Sequence, residues 1–213
     1  MLYVFGDSWG YGAELKPGEK PFAHALSIHL KHDYTNLSRE GTSLGDITAQ
    51  VLSNVNKMTD EDYVVVIVPP DTRWYKVTDT FHVQTITLHN KEYRNLIMHY
   101  NIPWFIYHHN LFMYTIISAV TSKTKKLILA HNYGNLVIID MFKNLINMNY
   151  FLSQHSLTRI LSGTDWDNNY RLDIDGPQSD SFKGIYFNGN ISHPNLLGHK
   201  EIARLLYEKF NTK

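Results

Sequence analysis

Cysteine is absent from the 213 residues, which excludes thiol nucleophiles, thiolate metal sites and disulfides together. An excess of either charge is absent too. Twenty Lys plus Arg balance twenty Asp plus Glu, so no basic field draws a polyanion and nucleic acid is not an expected partner. The start, Met1-Leu2-Tyr3-Val4-Phe5-Gly6, has no basic segment leading into an apolar run with a small-residue cleavage site. A secretory signal is therefore not visible, and the expected location is cytoplasmic or within a particle such as a phage virion. Residues 95–122 lack Asp, Glu, Lys and Arg, yet His99, Asn101, Pro103, His108, His109 and Asn110 interrupt them. Such polar groups are costly in hydrocarbon, so the stretch reads as buried or interface-forming helix and loop, not a membrane span. His24, His29 and His32, and the pair His108-His109, lack a His-Glu-x-x-His spacing or a carboxylate companion, so no metal and no other cofactor is expected.

What is present suits one well-buried unit, a single domain over 1–213: the hydrophobic fraction is 43% and the charged fraction 19%. Leu2 to Phe5 is a short apolar run that meets Gly6 at once, as a central strand ending in a tight turn does. Phe22–Leu30 has helical apolar spacing, 34–37 can form a strand, and Ile47, Val51, Leu52 and Val55 mark another amphipathic helix. Tyr63–Val68 is a continuous β-branched run stopped by Pro69-Pro70, and 126–131 repeats the pattern. The interval between those runs exceeds one crossover, which predicts an extra helix pair or lid. Residues 135–150 read as helical, 162–190 as a long polar loop, and 196–210 as a terminal amphipathic helix. Buried-type strands alternating with helices predict a three-layer α/β/α sandwich with a mostly parallel, flavodoxin-like sheet. Ligands then bind beyond the carboxyl ends of the strands, so the turns after Phe5, Leu37, Val68 and His131 should share the chemistry-bearing edge.

The first of those turns is Gly6-Asp7-Ser8-Trp9-Gly10-Tyr11-Gly12. Its glycines let the backbone bend, and its amides can donate to an oxyanion formed when a serine hydroxyl attacks an acyl carbon. In the plainer alternative, Asp7 and Ser8 only cap a helix. At the other end, Ser192-His193-Pro194-Asn195 precedes the terminal helix, and Pro194 restrains His193 so that its imidazole has a definite place. A histidine so held can take a proton from serine; it can also be an ordinary loop histidine.

Gly6-Asp7-Ser8 with Gly12 resembles the first block of the SGNH (GDSL-like) hydrolases, and His193-Pro194-Asn195 with Gly198-His199 resembles their last. Between them, Asn36-Leu37-Ser38-Arg39-Glu40-Gly41-Thr42-Ser43 is similar to the second block, in which a glycine amide helps to form the oxyanion hole. The resemblance implies Ser8 as nucleophile, His193 as base and Gly41 as an oxyanion donor, with Asp7 beside them. Two departures stand out. Where the third block carries Gly-x-Asn-Asp, this chain reads Val68-Pro69-Pro70-Asp71-Thr72-Arg73-Trp74, leaving Arg73, Thr72, or the more distant Asn110 and Asn132 to supply the missing donor. Where the last block has Asp three residues before the histidine, this chain has Asn190.

An asparagine carbonyl can orient the imidazole but cannot stabilise its charged form as a carboxylate does. If Asn190 limits the base, Asn190→Asp should gain at least about tenfold on an unactivated ester. Otherwise a Ser–His dyad operates, the acid comes from Asp165, Asp167, Asp173, Asp175 or Asp180, or His193 is not the base. The resemblance implies a serine esterase or deacetylase acting on a small-molecule or glycan ester, with an O-acetyl group as one candidate. Acyl transfer from the same acyl-enzyme, or a weakened binding or structural protein of a particle, are the other readings, because function resides in the site and not in the fold. Oligomeric state is not legible.

Overall fold

Leu2–Phe5, Tyr63–Val68 and Leu127–His131 are buried almost throughout, as apolar runs covered on both faces are. A computed structural model describes residues 1–70, 102–133, 136–162, 186–187 and 193–212, with the backbone of 74–77 and 83–86. Its strands are Leu2–Phe5 (β1), Tyr34–Asn36 (β2), Tyr63–Val68 (β3), Trp74–Val77 (β4), Val83–Ile86 (β5) and Leu127–His131 (β6). Four of them form a parallel sheet in the order β2-β1-β3-β6, the flavodoxin-like order that the sequence predicts. Successive side chains point to opposite faces. Leu2, Val4, Val65, Ile67, Ile128 and Ala130 join one core, and Tyr3, Phe5, Val64, Val66, Val68, Leu127 and Leu129 join the other.

The helices are Ser8–Tyr11 (α1), Phe22–Leu30 (α2), Leu44–Asn54 (α3), Ile102–Thr121 (α4), Leu157–Ser162 (α5) and Leu196–Asn211 (α6). Phe22 and Leu26 of α2, Leu157 and Leu161 of α5, and Ile202 and Leu206 of α6 cover the first face. Ile47 and Val51 of α3, with Met113, Ile116 and Val120 of α4, cover the second. The result is the three-layer α/β/α sandwich. Because both faces are covered, strands such as Tyr63–Val68 are apolar throughout. Helix α3 starts on a capping box: the Ser43 Oγ accepts from the Asp46 amide at 3.2 Å, and the Ser43 amide donates to Asp46 Oδ2 at 3.0 Å.

One segment differs from expectation. Residues 136–150 are not a continuous helix; they hold the short 3₁₀ turns Asp140–Phe142 and Met148–Tyr150. The Asn110 side chain of α4 explains this locally. Its Nδ2 donates to the Val137 carbonyl at 2.8 Å and its Oδ1 accepts from the Ile139 amide at 3.2 Å, taking backbone groups that a helix would use. Buried Phe142, Ile146 and Phe151 then pin the segment to the sheet face. Between β3 and β6, the described residues form the antiparallel pair β4–β5 and the long helix α4; the rest of the interval in which a helix pair or lid is expected lies outside the described residues. No helix among the described residues is long and apolar enough to cross a membrane.

Candidate active site

Strand β1 delivers the chain to Gly6 and Asp7 at the carboxyl edge of the sheet, and Ser8 is the first residue of the short helix α1. Asp7 caps that helix. Its Oδ1 accepts from the Trp9 amide at 3.0 Å, and its Oδ2 accepts from Asn132 Nδ2 at 2.7 Å, at the end of β6. Asp7 thus lies beside Ser8, with its side chain turned to the neighbouring backbone and loop. The carboxylate is wholly buried, accepts only, and links the Ser8 turn to the neighbouring loop. The second-block segment is tied to the same turn: the Arg39 amide and the Thr42 hydroxyl donate to the Gly6 carbonyl at 3.0 and 2.9 Å, and Asn36 Nδ2 donates to the Gly10 carbonyl at 2.8 Å. A Cβ at Gly10 would overlap Ser38 Oγ and come within 2.9 Å of Ser38 Cβ, so this close approach needs glycine.

The histidine arrives by a different route. Residues 186–187 lie antiparallel to the 194–195 backbone: Phe187 bridges to Pro194, and the Asn195 amide donates to the Tyr186 carbonyl at 2.8 Å. Asn195 then caps α6 by accepting from the Gly198 amide at 3.0 Å. The Phe187 ring meets the Trp9 indole edge-on at 6.1 Å, while Trp9 Nε1 donates to the Tyr133 hydroxyl at 2.9 Å. Thus the residue next to Ser8 packs against the strand piece that registers His193. Gly198 permits this packing, since a Cβ there would run into the Tyr186 carbonyl oxygen and approach Pro194 Cβ to 2.8 Å. Gly198→Ala is expected to cost about 1–3 kcal/mol by overpacking and to lower kcat by about tenfold or more through displacement of His193. Thermal melts and an ester assay check both; a variant unchanged in each would remove Gly198 from the positioning of His193.

The outcome of this packing is a contact across the whole chain. His193 Nε2 lies 2.8 Å from Ser8 Oγ, and His193 Nδ1 lies 2.8 Å from Glu14 Oε1. The side chains of His193 and Glu14 are 19% and 28% exposed, so the cluster is open to a substrate without being fully solvated. Glu14 was not singled out from the sequence. It sits six residues after Ser8 and 179 before His193, a relation that no local spacing reveals. The signal that does bear on it is the want of an acid at position 190.

Asn190, Thr72 and Arg73 lie outside the described residues, as do Asp165, Asp167, Asp173, Asp175 and Asp180. Among the described residues, the group beside His193 Nδ1 is Glu14 Oε1. Gly41 lies in an exposed turn with φ +70 and open space where a side chain would project. Asn110 Nδ2 donates to the Ile106 and Val137 carbonyls, which leaves it no N–H for an oxyanion, and one N–H of Asn132 Nδ2 is given to Asp7.

No family model matches the sequence, and no curated protein does. Solved structures do match. TesA superposes with a TM-score of 0.54 at 9% identity, covering 99% of this chain and 98% of that one. Axe2, an acetylxylan esterase of Geobacillus stearothermophilus seen as a catalytic mutant, gives 0.52 at 12% identity, covering 100% and 94%. A protein of Desulfitobacterium hafniense described as lipolytic and of the G-D-S-L family gives 0.50 at 11%, covering 98% of both. The fold is that of the SGNH (GDSL-like) hydrolases.

Two further histidines of this SGNH fold are structural. His199 is buried on α6, its ring stacked on Phe22 with centroids 6.1 Å apart, and its Nδ1 accepts from the Phe22 amide at 3.2 Å. It thereby satisfies an orphan donor at the start of α2, where Pro21 offers no side-chain cap. Burial, and then the nearby His193, pushes His199 down to about 4. At the end of β6, burial and then His109 and His155 push His131 down to about 4. Both rings are therefore neutral at physiological pH and add no charge to the site. Among the described residues no group of three or more His, Asp or Glu is arranged to hold a metal. His24, His29 and His32 instead pack against Tyr34, Tyr207 and Tyr63.

Proposed function

We propose that this chain is a serine esterase that hydrolyses a carboxylic ester, with small acyl groups such as O-acetyl on a carbohydrate as the favoured substrate class. The observation that carries the reading is the 2.8 Å contact between Ser8 Oγ and His193 Nε2, made by residues from opposite ends of the chain at the carboxyl edge of the sheet. Ser8 Oγ attacks the acyl carbon while its proton passes to His193 Nε2. The tetrahedral oxyanion collapses, the bond to the alcohol breaks, and His193 returns the proton to the departing alkoxide. Water, deprotonated by the same nitrogen, then attacks the acyl-enzyme, releasing the carboxylic acid and restoring Ser8. The amides of Ser8 and Gly41 are the proposed oxyanion donors, since the Gly41 turn is strapped to Gly6 through Arg39 and Thr42. The preference for acetyl esters rests on the acetylxylan esterase among the proteins of like fold.

The experiment is labelling with a fluorophosphonate, which phosphonylates an activated serine, followed by peptide mapping. Modification of Ser8, with release of acetate from acetylated glycans, is the expected result. Labelling at another serine, or none under conditions that label a known esterase, overturns the reading.

A further inference from the structure

The neutral ring of a histidine carries one proton, and a base that is to accept from serine at Nε2 must carry it on Nδ1. In this chain the group facing Nδ1 is a carboxylate: Glu14 Oε1, 2.8 Å away. A carboxylate accepts and cannot donate, so this contact requires the Nδ1–H tautomer and leaves Nε2 as an acceptor for the Ser8 hydroxyl 2.8 Å away. We infer that Glu14 is the positioning acid of the site, completing a Ser8–His193–Glu14 triad in which the acid comes from the loop just after the nucleophile and not from the segment before the histidine. This rests on the esterase reading above and assigns within it a part that Asn190 was expected to play.

A second observation separates this from an incidental surface ion pair. Glu14 has φ 69, in the left-handed region that a residue with a Cβ adopts at a cost and that glycine enters freely. Its loop is built to produce that turn. Gly12 also has positive φ, 87, and closes α1 with its amide donating to the Ser8 carbonyl at 3.0 Å. The Ala13 amide donates to the same carbonyl at 3.0 Å. The backbone holding Glu14 is thus hydrogen-bonded to the nucleophile residue itself, and the reversal turns the carboxylate back toward the imidazole. Nucleophile and acid share one rigid turn, and His193 enters between them.

The decisive variant is Glu14→Gln, which keeps size and removes charge, measured beside Ser8→Ala with an unactivated acetyl ester. Glu14→Gln is expected to lower kcat/KM by about 100-fold or more, almost wholly in kcat, with the melting temperature unchanged. Glu14→Asp, which restores the carboxylate on a shorter arm, should recover part of that loss. Nitrogen-15 spectra of the His193 ring at alkaline pH give a readout independent of turnover: Nδ1 protonated in the native chain, with the Nε2–H form appearing in Glu14→Gln. If Glu14→Gln keeps kcat/KM within about threefold while Ser8→Ala is inactive, the inference falls and the Ser8–His193 reading stands; if the native ring is the Nε2–H tautomer, the inference falls and His193 Nε2 cannot be the acceptor for the Ser8 proton either. If Ser8→Ala retains full activity, the esterase reading fails and takes the triad with it. With Glu14 already in place, Asn190→Asp in the native chain should gain less than about threefold, in place of the tenfold expected were Asn190 the limit.

Discussion

Ser8→Ala is expected to reduce kcat/KM on small acyl esters by on the order of 10⁴-fold or more while leaving the fold intact. The hydroxyl is the only atom removed. It sits at the start of α1, where the cap comes from Asp7 and the packing from Trp9, so little of the stability of the turn depends on it. His193→Ala should lose activity by a similar factor, and the double variant little more than either single one, because nucleophile and base act as a unit and the residual rate belongs to the oxyanion donors and to binding. Steady-state kinetics on one activated and one unactivated ester, with thermal melts of all three variants, measure this. Losses that multiply in the double variant would show two independent contributions and break the pairing that the 2.8 Å contact describes.

Acid should destabilise this protein through two histidines that take no part in the proposed chemistry. His131 and His199 are pushed from 6.5 to about 4 chiefly by burial, whereas in the unfolded chain they titrate near 6.5. Above that value both states hold neutral rings and the native state keeps its full stability. As pH falls from about 6.5 toward 4, the unfolded chain takes up protons that the folded chain refuses, so stability declines through this window and levels off below it. The difference corresponds to roughly 3 kcal/mol per ring and roughly 6 kcal/mol for both. Against a total stability of about 5–15 kcal/mol, this is large. Urea midpoints at pH 7 and pH 4.5 should therefore differ strongly, and His199→Gln, whose amide oxygen can still accept from Phe22, should flatten the dependence by about half. Equal slopes in the native and variant proteins would assign the effect to carboxylates instead.

The fold was legible because it is written in local terms. Tyr63–Val68 and 126–131 are apolar without alternation, which only a strand covered on both faces tolerates. Helices α2, α3 and α6 carry their stripes at helical spacing, and α6 ends one residue from where the pattern stops. Glycine-rich turns beside Ser8 and the His193-Pro194 step also announce themselves locally, because bending and restraint are properties of a few adjacent residues. Residues 136–150 misled because apolar periodicity does not see a competing side chain, and it is Asn110, far away in sequence, that takes their backbone groups.

By itself, then, the sequence determined the parallel α/β architecture, the sheet edge at which the site lies, and which serine and histidine to compare. Their meeting was decided by tertiary structure alone: it depends on Trp9 packing against Phe187 and on Gly198 admitting the Tyr186 carbonyl, contacts between residues with no common period. The same holds for Glu14. A carboxylate six residues after the nucleophile has no pattern to mark it, and only the left-handed turn at that residue, with His193 delivered from the other end of the chain, turns an ordinary acidic side chain into the partner of the imidazole. Periodicity records which face a residue buries; it carries no information on which two loops a fold brings within hydrogen-bonding distance.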